Sequence, residues 1–213
     1  MSFFMQLIET TDSSRRELEA ISSVQDMLQG CYPEEKYINL LTDLYHIVLN
    51  FCPILAAAAS RCSPEFIEVQ NYLYDHIQDE KRHEILVLND LAAFGVREPQ
   101  VLSKPMSCPV QAMIGFNYYV QDRQHPCGVI GMIYVLEIIS SVYGGQVTTA
   151  IAASLNRSTS NGFSFLDSHA SMDMDHMSKL RKFLQSIEST EAQKMIVESV
   201  RMNFYLIAQI MKS

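Results

Sequence analysis

Two short stretches hold four of the six histidines in this chain, each with an acid at helical spacing. "YDHIQDEKRHEILVL" carries His76, Glu80 and His83, and "DSHASMDMDHM" carries His169, Asp173 and His176. Both follow one spacing: a histidine, an acid four residues on, and a second histidine three further. An α-helix of 3.6 residues per turn stacks such positions on one face, where three side chains can converge. A further signal is Glu137 in "GVIGMIYVLEIISSVY", a carboxylate surrounded by apolar residues. A helix apolar on all sides is buried, and an unpaired carboxylate there costs several kcal/mol or takes up a proton.

A metal centre answers all three observations together. Mixed imidazole and carboxylate ligands suit iron, manganese or zinc, and facing bundle helices are where such centres are built. Di-iron carboxylate bundles use Glu-x-x-His from two helices and a lone Glu from each of two others. Here Glu80 to His83 is one such pair, Asp173 to His176 is a near equivalent, and Glu137 supplies one lone carboxylate. His76 and His169 are candidates for the missing position, with Asp43 or His46 as alternatives. Three acids against two divalent cations leave about one net positive charge, which favours an anionic substrate or a reduced oxygen species. Taken singly, His76 and His83 also suit a solvated helix face, Glu80 a pair with Lys81, Glu137 a buried pair with Arg or Tyr, and His46 core packing. His125, in "RQHPCG", lies in a loop.

Positioning these residues requires helices, and the chain reads as helix throughout, without strand alternation or repeats. Ser14 with Glu17 predicts a capping box opening a first helix that runs to about Gln29. Pro33 starts a second, which Pro53 should kink or interrupt. Ser63-Pro64 opens a long third helix closed by Gly95. A loop with Pro99 and Pro105 leads to a fourth from Pro109 to about Asp122. A fifth runs from Gly128 to about Leu155, with a bend at Gly144-Gly145. A sixth covers Phe165 to Ile187, and Ser189 caps a seventh ending near the C-terminus. The expectation is an all-α fold with residues 1–213 in one helical domain, since each helix needs partners for its apolar face.

Composition bounds the chemistry. The 213 residues carry a formal net charge of −8, and no Lys/Arg cluster breaks it, which argues against nucleic-acid binding. The five cysteines, Cys31, Cys52, Cys62, Cys108 and Cys127, lack a CxxC spacing and read as reduced thiols of an intracellular protein. The N-terminal "MSFFMQLIETTDSSRR" lacks the charge order and length of a signal peptide. The most apolar stretch, Gly128 to Val142, contains Glu137 and falls short of a bilayer span of about 20 residues. A soluble, cytoplasmic protein without membrane partners is expected.

Glu137, followed by His169-x-x-x-Asp173-x-x-His176 and preceded by His83 in a helix that begins after "SPEF", resembles the haem-oxygenase-like di-iron oxidases, relatives of the TenA and PqqC proteins. The likeness covers roughly residues 35 to 185. It implies a seven-helix bundle of the haem-oxygenase-like type, commonly a homodimer. It also implies a non-haem di-iron centre that activates O2 to oxidise small molecules such as amino-acid or fatty-acid derivatives. Carried over by position, His83, Glu137, His169, Asp173 and His176 match the family's ligands. Where the family usually has Glu, seven residues before His83, this chain has His76. Either His76 replaces that ligand while Glu80 supplies the carboxylate, or the second metal position is weakened. Leu136 occupies the place of a tyrosine that some members use beside the core Glu.

The leading expectation is an O2-dependent oxidase or oxygenase with His76, Glu80, His83, Glu137, His169, Asp173 and His176 holding two irons, with manganese as the other candidate. A pocket lined by methionines and aromatics would take the substrate. Two other classes stay open: a TenA-like metal-independent hydrolase with Cys127 as nucleophile, and a non-catalytic small-molecule-binding bundle. Haem oxygenase itself fits less well, since His46 would be its axial ligand and the surrounding motif is missing.

Overall fold

Phe3, Phe4, Leu7, Thr11 and Leu18 recur at helical spacing and are all buried, and they set the first helix, α1 (Phe3–Glu19). The computed structural model describes residues 2–213, with the side chains of residues 170–174 outside that description. Asp173 therefore lies outside the described side chains. The helix start expected at Ser14 is displaced: Ser14 sits inside α1, and Ser2 occupies the cap position. The two phenylalanines pull the helix toward the N-terminus, because their burial outweighs a capping box worth about 1 kcal/mol. A short α2 (Ser22–Leu28) follows after an extended Ile21.

Pro33 caps α3 (Glu34–Ala59), which runs on through Pro53. The long third helix expected up to Gly95 is two helices, α4 (Ile67–Glu80) and α5 (Glu84–Ala93). Between them Arg82 adopts a left-handed conformation with φ 71°. The segment with Pro99 holds a short α6 (Glu98–Ser103), and α7 (Cys108–Tyr119) ends in a π-turn, Val120–Gln124.

The apolar sequence around Glu137 forms α8 (Val129–Ile139), whose residues from Val129 to Val135 are all buried. A π-turn, Ser140–Gly144, joins it to α9 (Gly145–Ser154), so the bend expected at Gly144-Gly145 is a widened turn of one continuous helix. Helix α10 (Ser164–Ser186) carries the C-terminal triplet, and α11 (Thr190–Lys212) closes the fold. Ser189 caps α11 as expected, its hydroxyl accepting from the Ala192 N–H at 3.2 Å. No strand occurs among the described residues.

Helix α11 packs along α8 so closely that a Cβ on Gly131 would lie 2.6 Å from Ser199 Oγ and 2.7 Å from the Val200 nitrogen. Glycine is what lets the two backbones approach. Glu34–Ala59 and Pro126–Ser154 are each long and apolar enough to cross a membrane, so the length argument from Gly128 to Val142 does not hold. Within the bundle, 44% of the apolar window in the first and 61% of that in the second is buried.

The start of α10 is anchored from α5. Asp90, only 2% exposed, accepts from the Ser164 N–H and hydroxyl through Oδ1 and from the Phe165 N–H through Oδ2, each at 2.8 Å. A carboxylate there satisfies free N–H groups of the first turn and faces the positive end of the helix dipole. Tyr37 reinforces the corner by donating to the Gly162 carbonyl at 3.0 Å. The helix that follows His83 is thereby tied to the one that bears His169 and His176.

Candidate metal centre

Helix α4 aims His76 and Glu80 inward one turn apart, and both are buried. An unbroken helix would carry His83 along the same face. The break at Lys81 and Arg82 instead turns the chain, yet His83 Nδ1 still lies 2.9 Å from Glu80 Oε2. Helix α10 delivers His169, with Nε2 3.2 Å from His83 Nδ1 and 3.5 Å from Glu80 Oε2. One group is thus Glu80, His83 and His169, with donor atoms within 4.8 Å of one another.

A second group adjoins it. Glu137 from α8 places Oε1 3.5 Å from His76 Nε2 and 3.1 Å from His176 Nδ1. His176 Nδ1 also lies 3.5 Å from Glu80 Oε1. His76, Glu80 and Glu137 bring one donor atom each within 4.8 Å of the others. Glu80 belongs to both groups, with Oε2 toward His83 and His169 and Oε1 toward His176. Six of the seven residues expected from the sequence therefore converge, from α4, α8, α10 and the α4–α5 junction.

The chemistry of the donor set fits a cation. Burial drives the His76 pKa down to about 4, and its Nε2 has no hydrogen-bond partner, so the ring is neutral with a lone pair available. Burial alone would raise the Glu80 pKa, but its hydrogen bonds with His169 and His83 pull it well below the usual carboxylate range. Ionised carboxylate and neutral imidazole are the protonation states that bind metals. His169 Nδ1 meets the Phe165 carbonyl at 2.8 Å, which directs Nε2 inward.

The surroundings include residues that ligand spacing did not reveal. Tyr72, one turn before His76, stacks on Phe183 with ring centres 4.0 Å apart and lies over the His76 ring at 5.7 Å. Phe51 meets His76 edge-on at 5.7 Å. Burial, then the charges of Glu137, Glu80 and Asp79, raise the Tyr72 pKa, so the phenol keeps its proton. Cys52 is likewise pushed up to about 11 by burial and by Glu80. Only the i−4 relation of Tyr72 to His76 could have marked it in the sequence. The π-turn that follows Glu137 opens α8 beside the centre, a common feature of functional sites.

Other candidates lie elsewhere. His46 is buried edge-on against Tyr45, near Asp43, and neither belongs to the two groups. His125 is buried rather than exposed in its loop; its Nδ1 accepts from the Cys127 N–H at 3.1 Å. Cys127 is fully buried, and burial pushes its pKa up to about 12. A thiol so protonated and enclosed is a poor nucleophile in this conformation.

Residues 38–206 match the family of iron-containing redox enzymes, and the chain belongs to that family. No curated protein matches it at a significant level. Among solved structures, a domain of unknown function with a haem-oxygenase-like fold from Shewanella denitrificans OS217 is similar at 20% identity and TM-score 0.87, over 100% of this chain and 91% of that one. A TenA homologue from Pseudomonas syringae pv. tomato DC3000 is similar at 14% identity and TM-score 0.81, over 99% and 91%. Haem oxygenase from Leptospira interrogans is similar at 17% identity and TM-score 0.75, over 99% and 98%. The fold is accordingly the haem-oxygenase-like, TenA-like all-α bundle expected from the sequence.

Proposed function

We propose that the protein is a non-haem di-iron oxidase or oxygenase that uses O2 to oxidise a small organic substrate, with manganese as the alternative metal. The observation that carries this reading is the position of Glu80, which serves two adjoining donor groups. His83, His169 and one Glu80 oxygen would hold one cation. His76, Glu137, His176 and the other Glu80 oxygen would hold its neighbour. The substitution of histidine for the family's usual glutamate at position 76 is then offset by a carboxylate one turn later. Iron held by these residues would supply the electrons for the reduction of O2.

The chain's own residues do the rest. Glu80 and Glu137 balance cationic charge in a site from which water is largely excluded, and the imidazoles fix the geometry. Tyr72, Phe51 and Phe183 form an apolar wall beside His76, the kind of surface that holds an organic substrate. A homodimer of this bundle is part of the proposal and is read by sizing chromatography with light scattering.

The test is to load the purified protein anaerobically with Fe(II), measure iron per chain, and follow absorbance on adding O2. About two irons per chain and a transient visible absorption are expected, both lost in His176→Ala. Iron well below one per chain in the unaltered protein, with no effect of that substitution, overturns the reading.

A further inference from the structure

Asp79 precedes Glu80 in the last turn of α4 but points to the outer side of the centre, with its side chain 36% exposed. Its Oδ2 accepts from Lys179 Nζ at 2.8 Å and lies 3.7 Å from His176 Nε2. His176 and Lys179 are one turn apart on α10, so a single carboxylate reaches both. The opposite ring nitrogen, Nδ1, is the one that faces Glu137 and Glu80. His176 thus stands between an inner pair of carboxylates and an outer one.

We propose that Asp79 is a positioning residue that orients His176 toward the metal centre, and that Lys179 holds Asp79 in place for that task. The inference rests on the metal reading above. A neutral imidazole carries one N–H and one lone pair, and the partner of the first decides where the second points. Once a cation displaces the proton that Nδ1 otherwise shares with Glu137 at 3.1 Å, the carboxylate 3.7 Å from Nε2 favours the tautomer with the proton outside and the lone pair of Nδ1 inside. It also restrains ring rotation and makes the inner nitrogen more basic.

His169 obeys the same logic with a different acceptor, the Phe165 carbonyl, which is part of α10 itself. Asp79 reaches His176 from another helix, so that contact depends on how α4 and α10 are held together. Lys179 makes that link. Without it, the partly exposed Asp79 would be free to turn to solvent. The hydrogen bond to Asp79 raises the Lys179 pKa, so the ammonium stays charged across the physiological range.

Cobalt(II) titration of the full chain, followed by visible ligand-field absorption, tests the proposal without requiring turnover. Asp79→Ala is expected to weaken binding at one of the two cation positions by about 10–100-fold and to alter its absorption band. Asp79→Asn, which keeps an oxygen acceptor for Nε2–H, should fall between Asp79→Ala and the unaltered protein. Lys179→Met should lose less than Asp79→Ala. Circular dichroism and melting temperature, expected to be nearly unchanged for these exposed sites, separate positioning from misfolding. Affinity of Asp79→Ala within about twofold of the unaltered protein overturns the role, as does Asp79→Asn binding no better than Asp79→Ala. If the unaltered protein binds no cobalt or iron, the metal reading itself falls and this inference with it.

Discussion

Glu80 and His83 meet at 2.9 Å across a break in the helical segment that carries them, and the break is held by Arg82 at φ 71°. A non-glycine residue in the left-handed region costs about 1–2 kcal/mol, and such strain concentrates at functional sites where surrounding contacts enforce it. Here the turn lets one short segment supply ligands to both donor groups.

Arg82→Gly should relieve that strain. The metal-free protein is expected to gain roughly 0.5–1 kcal/mol, about 1–4 °C in melting temperature, less than the full penalty because glycine is more flexible when unfolded. Arg82→Val should destabilise, since a β-branched residue tolerates positive φ poorly. Thermal melts of the two variants with EDTA present give opposite signs if Arg82 is strained. A lower melting temperature for Arg82→Gly refutes it.

Asp90 clamps α10 to α5 through three hydrogen bonds. Its removal leaves buried N–H groups without an acceptor, so Asp90→Ala is expected to lose about 2–3 kcal/mol, roughly 4–12 °C. Urea denaturation measures the first quantity and calorimetry the second. A loss below about 0.5 kcal/mol would show that the clamp adds nothing to stability.

Acid should destabilise the metal-free protein partly through histidines outside the metal centre. Burial lowers the pKa of both His46 and His125 from their ordinary 6.5, and His46 Nε2 has no hydrogen-bond partner. The unfolded chain therefore binds protons that the folded chain does not. The stability linked to this difference is complete above pH 6.5 and is lost as pH falls from there toward the folded pKa values. His46→Phe should flatten the slope of unfolding free energy against pH between 5 and 7, measured by urea titration. An unchanged slope counts against a neutral buried His46.

Alkylation reads the state of the cysteines directly. Cys31 and Cys108 are exposed, whereas Cys127 is fully buried with its pKa pushed up to about 12. Iodoacetamide at pH 7.5, followed by peptide mass spectrometry, should label the first two within minutes and spare Cys127 until the protein is unfolded. Cys127→Ser should retain the activity of the unaltered protein. Rapid labelling of Cys127 in the folded state would favour the hydrolase reading.

Periodicity made the bundle legible, because an apolar face repeating every 3.6 residues must find partners whatever the topology. It also exposed six converging candidate ligands, since histidine and acid at four- and three-residue steps share a helix face. The sequence could not reveal that α4 ends at Glu80, because strain at Arg82 is sustained by contacts distant in the chain. Nor could it show that α1 begins at Phe3, where burial beats a local capping signal. Asp79, Tyr72 and Asp90 escaped the spacing pattern because each meets a partner on another helix, Lys179, Phe183 and Ser164 respectively. Residue type and spacing determined which atoms were available to hold a metal. Packing decided which of their nitrogens and oxygens face one another, because orientation depends on burial and on hydrogen bonds between segments that no local rule connects.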